Sequence, residues 1–217
     1  MSNVRMVWVT PDAENIISYC ARVSSPQNQE NYDTAAKLLK YCLKQKHFSI
    51  FEMANMCVEI NTTRAISAQL LRHRSFSFQE YSQRYADTTA IGQAVMPHLR
   101  RQDVKNRQNS IDDLNQETVG AYYRRISTLF EEAEHLYKEM ISNGVAKECA
   151  RSILPLASPT RLYMNGTVRS WLTYISLREK HGTQMEHMKI AKDIKTIFCG
   201  QFPTIAEALG EEAEWEI

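Results

Sequence analysis

The sequence predicts a mainly helical α+β fold. Two observations carry this. Short β-branched or alternating runs are interleaved with segments whose apolar residues recur every three or four positions. In addition, no linker, low-complexity stretch or internal repeat divides the 217 residues, so one domain over 1–217 is expected.

Val4 to Val9 is a β-branched and aromatic run closed by Thr10-Pro11, which reads as a strand. Asp12 to Val23 reads as a helix, with Pro11 or Asp12 at its start. Glu30 to Gln45 reads as a second, with Ala35, Leu38, Leu39, Cys42 and Leu43 on one face. Asn55 to Ile60 alternates Met56, Val58 and Ile60 inward as a strand. Thr62-Thr63 then caps a helix running to about Arg74. Residues 86–112 lose periodicity and are rich in Gln, Asn, Asp and Arg, which predicts a long mobile loop of the kind that covers a site. Its basic residues, His98, Arg100, Arg101, Lys105 and Arg107, read as a solvated face. Asp113 to Asn143 is the clearest helix: Val119, Tyr122, Ile126, Leu129, Ala133, Leu136 and Met140 form one stripe, and Gly144 ends it. Glu134 and Lys138 pair on its wet side. Lys147 to Ile153 is a short helix stopped by Pro155, Arg161 to Met164 is extended, and Thr167–Arg178 and Gln184–Phe198 are two further helices.

Composition narrows the chemistry. Only 7 residues are glycine, about 3% against the usual ~7%, and the first is Gly92. Neither a G-x-G-x-x-G nor a G-x-x-x-x-G-K-[ST] motif can be written, so a bound nucleotide must be gripped by side chains. Net charge is +1, but no Lys or Arg follows Lys195, whereas Glu207, Glu211, Glu212, Glu214 and Glu216 do. The mild excess before that tail suits small anions better than a nucleic-acid surface. Five widely spaced cysteines (Cys20, Cys42, Cys57, Cys149, Cys199) without a C-x-x-C argue for reduced thiols in a cytoplasmic protein rather than disulfides or zinc. His181 and His187 are poorly spaced for a helical metal pair, and no metal is expected. His135 and His187 read as structural or solvated. The N-terminus has no signal-peptide pattern and no run of 18 apolar residues occurs.

The functional residues concentrate in Gln69 to Tyr85, QLLRHRSFSFQEYSQRY. On a helix, Gln69, Arg72 and His73 share a face, and Arg74 follows. In an extended stretch, Glu80, Ser82 and Arg84 point the same way. Such a set offers guanidinium forks for phosphate and a carboxylate for sugar hydroxyls or ring N–H groups. Two other readings fit these residues. One is a charged surface helix followed by an exposed strand. The other is an RNA- or nucleotide-binding module in which Phe76, Phe78, Tyr81 and Tyr85 stack bases.

Arg72-His73-Arg74, then seven residues, then Ser82, resembles the signature of flavin-dependent thymidylate synthases, the ThyX family. His47-Phe48-Ser49-Ile50-Phe51-Glu52 is similar to that family's H-x-[ST]-x-F-E segment. Ala150-Arg151, Leu154-Pro155, Arg169, Leu177-Arg178 and Gln184 are similar to its C-terminal block. The resemblance covers about residues 1–200 in order. It implies a ThyX-like fold with a mixed α/β part packed on long helices, a homotetramer whose sites are shared between subunits, and conversion of dUMP to dTMP. Methylenetetrahydrofolate would supply carbon, and NADPH would supply reducing equivalents through FAD. By family position, His47, Ser49, Arg72, His73, Arg74, Glu80, Thr167, Arg169 and Thr173 would touch FAD. Gln69, Arg72, Glu80, Ser82, Arg84, Arg151 and Arg178 would hold dUMP. Arg178 is expected to act in the chemical step by stabilising negative charge at the uracil edge. No cysteine falls in the matched motifs, and Ser82 reads as a substrate ligand rather than a nucleophile. The sequence differs from the family pattern at Thr167 and Thr173, where Asn is expected, at Gln79, and at Gly182, where a flavin-contacting His is common; His181 sits one residue earlier. A flavin enzyme acting on another substrate is the nearest rival reading.

Overall fold

The computed structural model describes residues 3–210 and Trp215. The strands are β1 (Asn3–Val9), β2 (Asn55–Thr63), β3 (Ser77–Glu80), β4 (Arg101–Gln102), β5 (Ser110–Ile111) and β6 (Pro159–Thr167). The helices are α1 (Ala13–Ala21), α2 (Ala35–Lys44), α3 (Arg64–Leu70), α4 (Gln116–Ser142), α5 (Lys147–Ala150), α6 (Val168–Arg178), α7 (Met185–Gln201) and α8 (Pro203–Leu209). One sheet has the order β1-β2-β6-β3, and β4 pairs antiparallel with β5. Residues fall into two compact units, each discontinuous in sequence: 61–72 with 80–162, and 3–60 with 73–79 and the residues from 163 onward. No helix among the described residues is long and apolar enough to cross a membrane.

In the second of these units, α6 packs on α7, α7 on β1 and α8, and α2 on α1 and α8. Leu39, Met56, Trp171, Ile190, Ile194 and Phe198 are fully buried there. The alternation expected in β2 is only half of what forms. Met56, Val58 and Ile60 are buried, but Cys57 and Glu59 are buried too. An internal strand has no solvent edge, and here neither face alternates with water. Glu59 is tolerated because Arg5 of β1 forks onto its carboxylate at 2.9 and 2.7 Å. Helix α6 starts where expected, with the Thr167 hydroxyl accepting from the Ser170 N–H. It is tied to α7 by a buried pair, Glu179–Lys195 at 2.9 Å. The same Glu179 carboxylate accepts from the Trp215 N–H, and the Lys195 ammonium lies 4.7 Å from the Trp215 ring centre. Of the acidic tail, Glu207 pairs with Lys40; Glu211, Glu212, Glu214 and Glu216 lie outside the described residues.

In the first unit, α4 runs 27 residues from an Asn115 cap, whose side chain accepts from the Thr118 N–H, to Gly144 at φ 82°. That is ~40 Å of helix at 1.5 Å per residue. Its apolar stripe is not a core face: only Tyr137 is buried, while Tyr122, Leu129 and Leu136 are 51%, 60% and 46% exposed. Residues 86–112 have more order than their composition predicts. The Asp103 carboxylate accepts from the Lys105 and Asn106 N–H groups and from the Asn109 amide, which builds the β4–β5 hairpin. Arg101 forks onto Asp113 below it.

Several element boundaries differ from expectation; β2 runs on to Thr63, β6 spans Pro159–Thr167 rather than Arg161–Met164, and α4 begins at Gln116. The second helix begins at Ala35, because Tyr32–Thr34 forms a separate 3-10 turn. Helix α3 ends at Leu70, not near Arg74. The extended stretch ends at Glu80, and residues 83–85 form a turn in which the Tyr85 N–H donates to the Ser82 carbonyl.

Candidate active site

The second unit contains a buried aromatic and imidazole group around Arg178. Tyr174 and Arg178 lie four apart on α6, so they share a face. His73 comes from the segment before β3, and His187 from the first turn of α7. The Arg178 Nε–H donates to His73 Nε2 at 3.0 Å. An imidazole nitrogen that accepts carries no proton, so neutral His73 must hold its hydrogen on Nδ1. The His73 ring meets Tyr174 edge-on at 4.9 Å, and the Tyr174 hydroxyl shares a hydrogen bond with His187 Nε2 at 3.1 Å. Phe76 and Trp171 close the group beneath, with ring centres 4.6 Å apart.

The electrostatics follow from burial. Desolvation, then the Arg178 charge, lower the His73 pKa to about 4. The same two causes, with His73 as a third, lower His187 to about 4. Burial raises the Tyr174 hydroxyl well above its ordinary range. Both imidazoles are therefore neutral and the phenol protonated at neutral pH. Among the described residues no carboxylate pairs with Arg178. Its charge is held by a neutral acceptor at Nε, which leaves both terminal nitrogens for a ligand.

The remaining predicted residues of this unit are at the surface. His47 and Ser49 are exposed just past α2, and the His47 ring lies 6.1 Å edge-on from Tyr41. Arg74 is exposed and has no carboxylate partner among the described residues. Arg169 is paired with Glu52, both about half-exposed. Thr167 is occupied as the α6 cap, and Thr173 donates to the Arg169 carbonyl within the helix. His181 is exposed.

In the first unit, Glu80 is engaged by its own chain. Its carboxylate accepts from Ser67 at 2.6 Å and Thr160 at 2.9 Å and pairs with Arg64 at 3.0 Å. Arg64 also donates to the Tyr81 carbonyl. Because α3 stops at Leu70, Arg72 does not continue a helical face from Gln69: it sits in the turn that follows, exposed, and His73 lies beyond that turn. Glu80, Ser82 and Arg84 do not share a strand face, since only Glu80 is in β3. The Ser82 hydroxyl instead accepts from the Arg84 N–H at 3.3 Å, and Arg84 approaches Glu148 at 3.5 Å. Arg72 and Arg151 have no carboxylate partner among the described residues.

Sequence reasoning missed Tyr174, His187, Arg64, Ser67 and Thr160. The i,i+4 spacing of Tyr174 and Arg178 was a usable signal. Nothing in the sequence links His187 to His73, 114 positions apart.

Comparison with known proteins identifies the family. The profile of the thymidylate synthase complementing protein family matches residues 5–204. A flavin-dependent thymidylate synthase of Synechocystis is 52% identical over 202 residues, covering 93% of this chain and 90% of that protein. A probable flavin-dependent thymidylate synthase of Paramecium bursaria Chlorella virus 1 is 50% identical over 198 residues, covering 91% and 90%. The crystal structure of the UMP/dUMP methylase PolB of Streptomyces cacaoi, bound with 5-Br dUMP, superposes with a TM-score of 0.84 at 23% identity, covering 96% and 94%; it shows the shared fold. The chain belongs to the flavin-dependent thymidylate synthase family.

Proposed function

We propose that this chain reductively methylates dUMP to dTMP with methylenetetrahydrofolate as carbon donor, NADPH as reductant and FAD as the resident cofactor. The observation that carries this reading is Arg178, a guanidinium with no carboxylate counter-ion among the described residues, fixed through Nε by neutral His73. A cation held that way stabilises negative charge developing on a pyrimidine edge, and its charge survives burial.

The residues present fit a flavin nucleotide. Arg74 and Arg169 are exposed cations of the kind a pyrophosphate takes, and Arg169 has only a surface pair to exchange. The Asn165 amide oxygen on β6 is buried with no donor among the described residues, and a ring N–H or ribityl hydroxyl would satisfy it. His47, Ser49, Arg72, His73, Arg74, Glu80, Thr167, Arg169 and Thr173 remain the proposed cofactor set, with Glu80 acting chiefly by holding Arg64 and β3. Gln69, Arg72, Glu80, Ser82, Arg84, Arg151 and Arg178 remain the proposed dUMP set. A bound flavin would supply, as hydride drawn from NADPH, the two electrons by which the methylene carried over from the folate becomes the methyl group. Burial pushes the Cys42 and Cys57 thiols up, away from the thiolate that a nucleophile needs.

The same reading includes one functional domain over 1–217, a cytoplasmic enzyme, and a homotetramer whose subunits share sites. The exposed stripe on α4 supports assembly: Tyr122, Leu129 and Leu136 recur every seven residues along one line.

The test is turnover. The purified protein should be yellow and form dTMP from dUMP, methylenetetrahydrofolate and NADPH. A soluble, flavin-loaded protein that makes none would overturn the reading.

A further inference from the structure

We propose that Tyr174 and His187 are positioning residues for Arg178, acting through His73. The inference rests on the synthase reading above and adds to it two side chains that touch neither substrate nor cofactor in that assignment.

Arg178 sits in the last turn of α6, where a long side chain has many rotamers. Its one hydrogen bond among the described residues goes to His73 Nε2, so His73 decides where the guanidinium lies. His73 itself lies in no helix or strand. Its ring is held by edge-on contacts to Tyr174 at 4.9 Å and His187 at 6.1 Å. Those two rings are joined by the 3.1 Å hydrogen bond between the Tyr174 hydroxyl and His187 Nε2. Tyr174 and His187 are each 1% exposed, so a lost partner there cannot be replaced freely by water.

The arrangement is also a tautomer lock. Arg178 can donate only if His73 Nε2 is unprotonated. If the Tyr174 ring shifts, His73 can rotate or exchange its proton between nitrogens. Arg178 then loses its fixed acceptor while keeping its charge. That predicts loss of rate rather than loss of substrate binding, because an ångström of misplacement acts mainly on the transition state.

The experiment uses the flavin-loaded enzyme with Tyr174→Phe, His187→Gln and His187→Leu. Phe keeps the ring and removes the hydroxyl, and Gln keeps a hydrogen-bonding group near Tyr174. Expected is a kcat about tenfold or more lower in Tyr174→Phe and His187→Leu, with KM for dUMP within about twofold and the flavin spectrum kept. His187→Gln should recover a substantial part of kcat. Nitrogen-15 NMR of histidine-labelled protein should show His73 as one neutral Nδ1–H tautomer in the wild type and a tautomer mixture in Tyr174→Phe. The proposal is overturned if Tyr174→Phe keeps wild-type kcat and an unchanged His73 signal, or if kcat and dUMP affinity fall together. Wild-type protein without turnover would instead sink the synthase reading, and the NMR comparison would still report on His73. Should His187→Leu fail to fold, Tyr174→Phe and His187→Gln decide the matter.

Discussion

Gly166 shows what a single residue does in a chain so poor in glycine. It lies on β6 directly under Phe76, and a Cβ there would come 2.4 Å from the Phe76 ring. Phe76 is buried against Trp171 and cannot swing away cheaply. Gly166 therefore seats the segment that carries His73. Gly166→Ala should cost about 1–3 kcal/mol, the range for overpacking a tight site. Chemical denaturation checks this, and an unchanged midpoint would show that Phe76 is free to move. Elsewhere the shortage is met by strain. Helix α2 ends in a Schellman turn with Lys46 at φ 57°, while α4 ends in the same turn with Gly144. The second was legible from the glycine. The first was not, because lysine carries no such signal; its left-handed conformation shows only in the folded turn, where the Lys46 and His47 N–H groups close onto Leu43 and Cys42. The Arg178–His73 bond belongs to the same class: both residues were singled out from the sequence, but a contact across 105 positions needs the fold.

At the scale of elements, α3 is the instructive case. Arg72 and His73 continue a helical spacing from Gln69, so pattern alone extends the helix. The helix stops at Leu70; further on, the Phe76 N–H donates to the His73 carbonyl in a turn and the Phe76 ring packs on Trp171. Helices α6 and α7 together set the acid response. His73 and His187 have folded pKa values of about 4, below the ordinary 6.5. Arg178 and Tyr174 on α6 face them, and only Arg178 is charged. Between these values the unfolded chain binds more protons, so stability falls as pH drops from ~6.5 toward ~4 and is complete above that window. The melting temperature should fall over this range, and His187→Leu should flatten the slope. A melting temperature constant between pH 7 and 5 would show that the imidazoles are not held neutral.

For the whole molecule, α4 is the element whose existence was plain and whose role was not. A stripe at three- and four-residue spacing reads as core in a single chain, yet Leu129 is 60% exposed. Periodicity reports that a face is buried, but not against which chain. If α4 is a subunit interface, Leu129→Glu should yield smaller species in sedimentation, with the melting temperature lower and concentration-dependent. An unchanged assembly would place the interface elsewhere. The family assignment itself was legible from Arg72-His73-Arg74 and Ser82, because those residue types in that order carry the chemistry independent of where the helix stops. The central claim is that this chain makes thymidylate through a flavin and Arg178. It is tested most directly by growth of a thymidine-requiring bacterium carrying either the wild-type gene or Arg178→Ala. The wild-type gene should restore growth without thymidine, and Arg178→Ala should not, with turnover down about 100- to 1,000-fold while the purified protein stays yellow. Equal growth with both genes, or none with a soluble yellow wild-type protein, would contradict it.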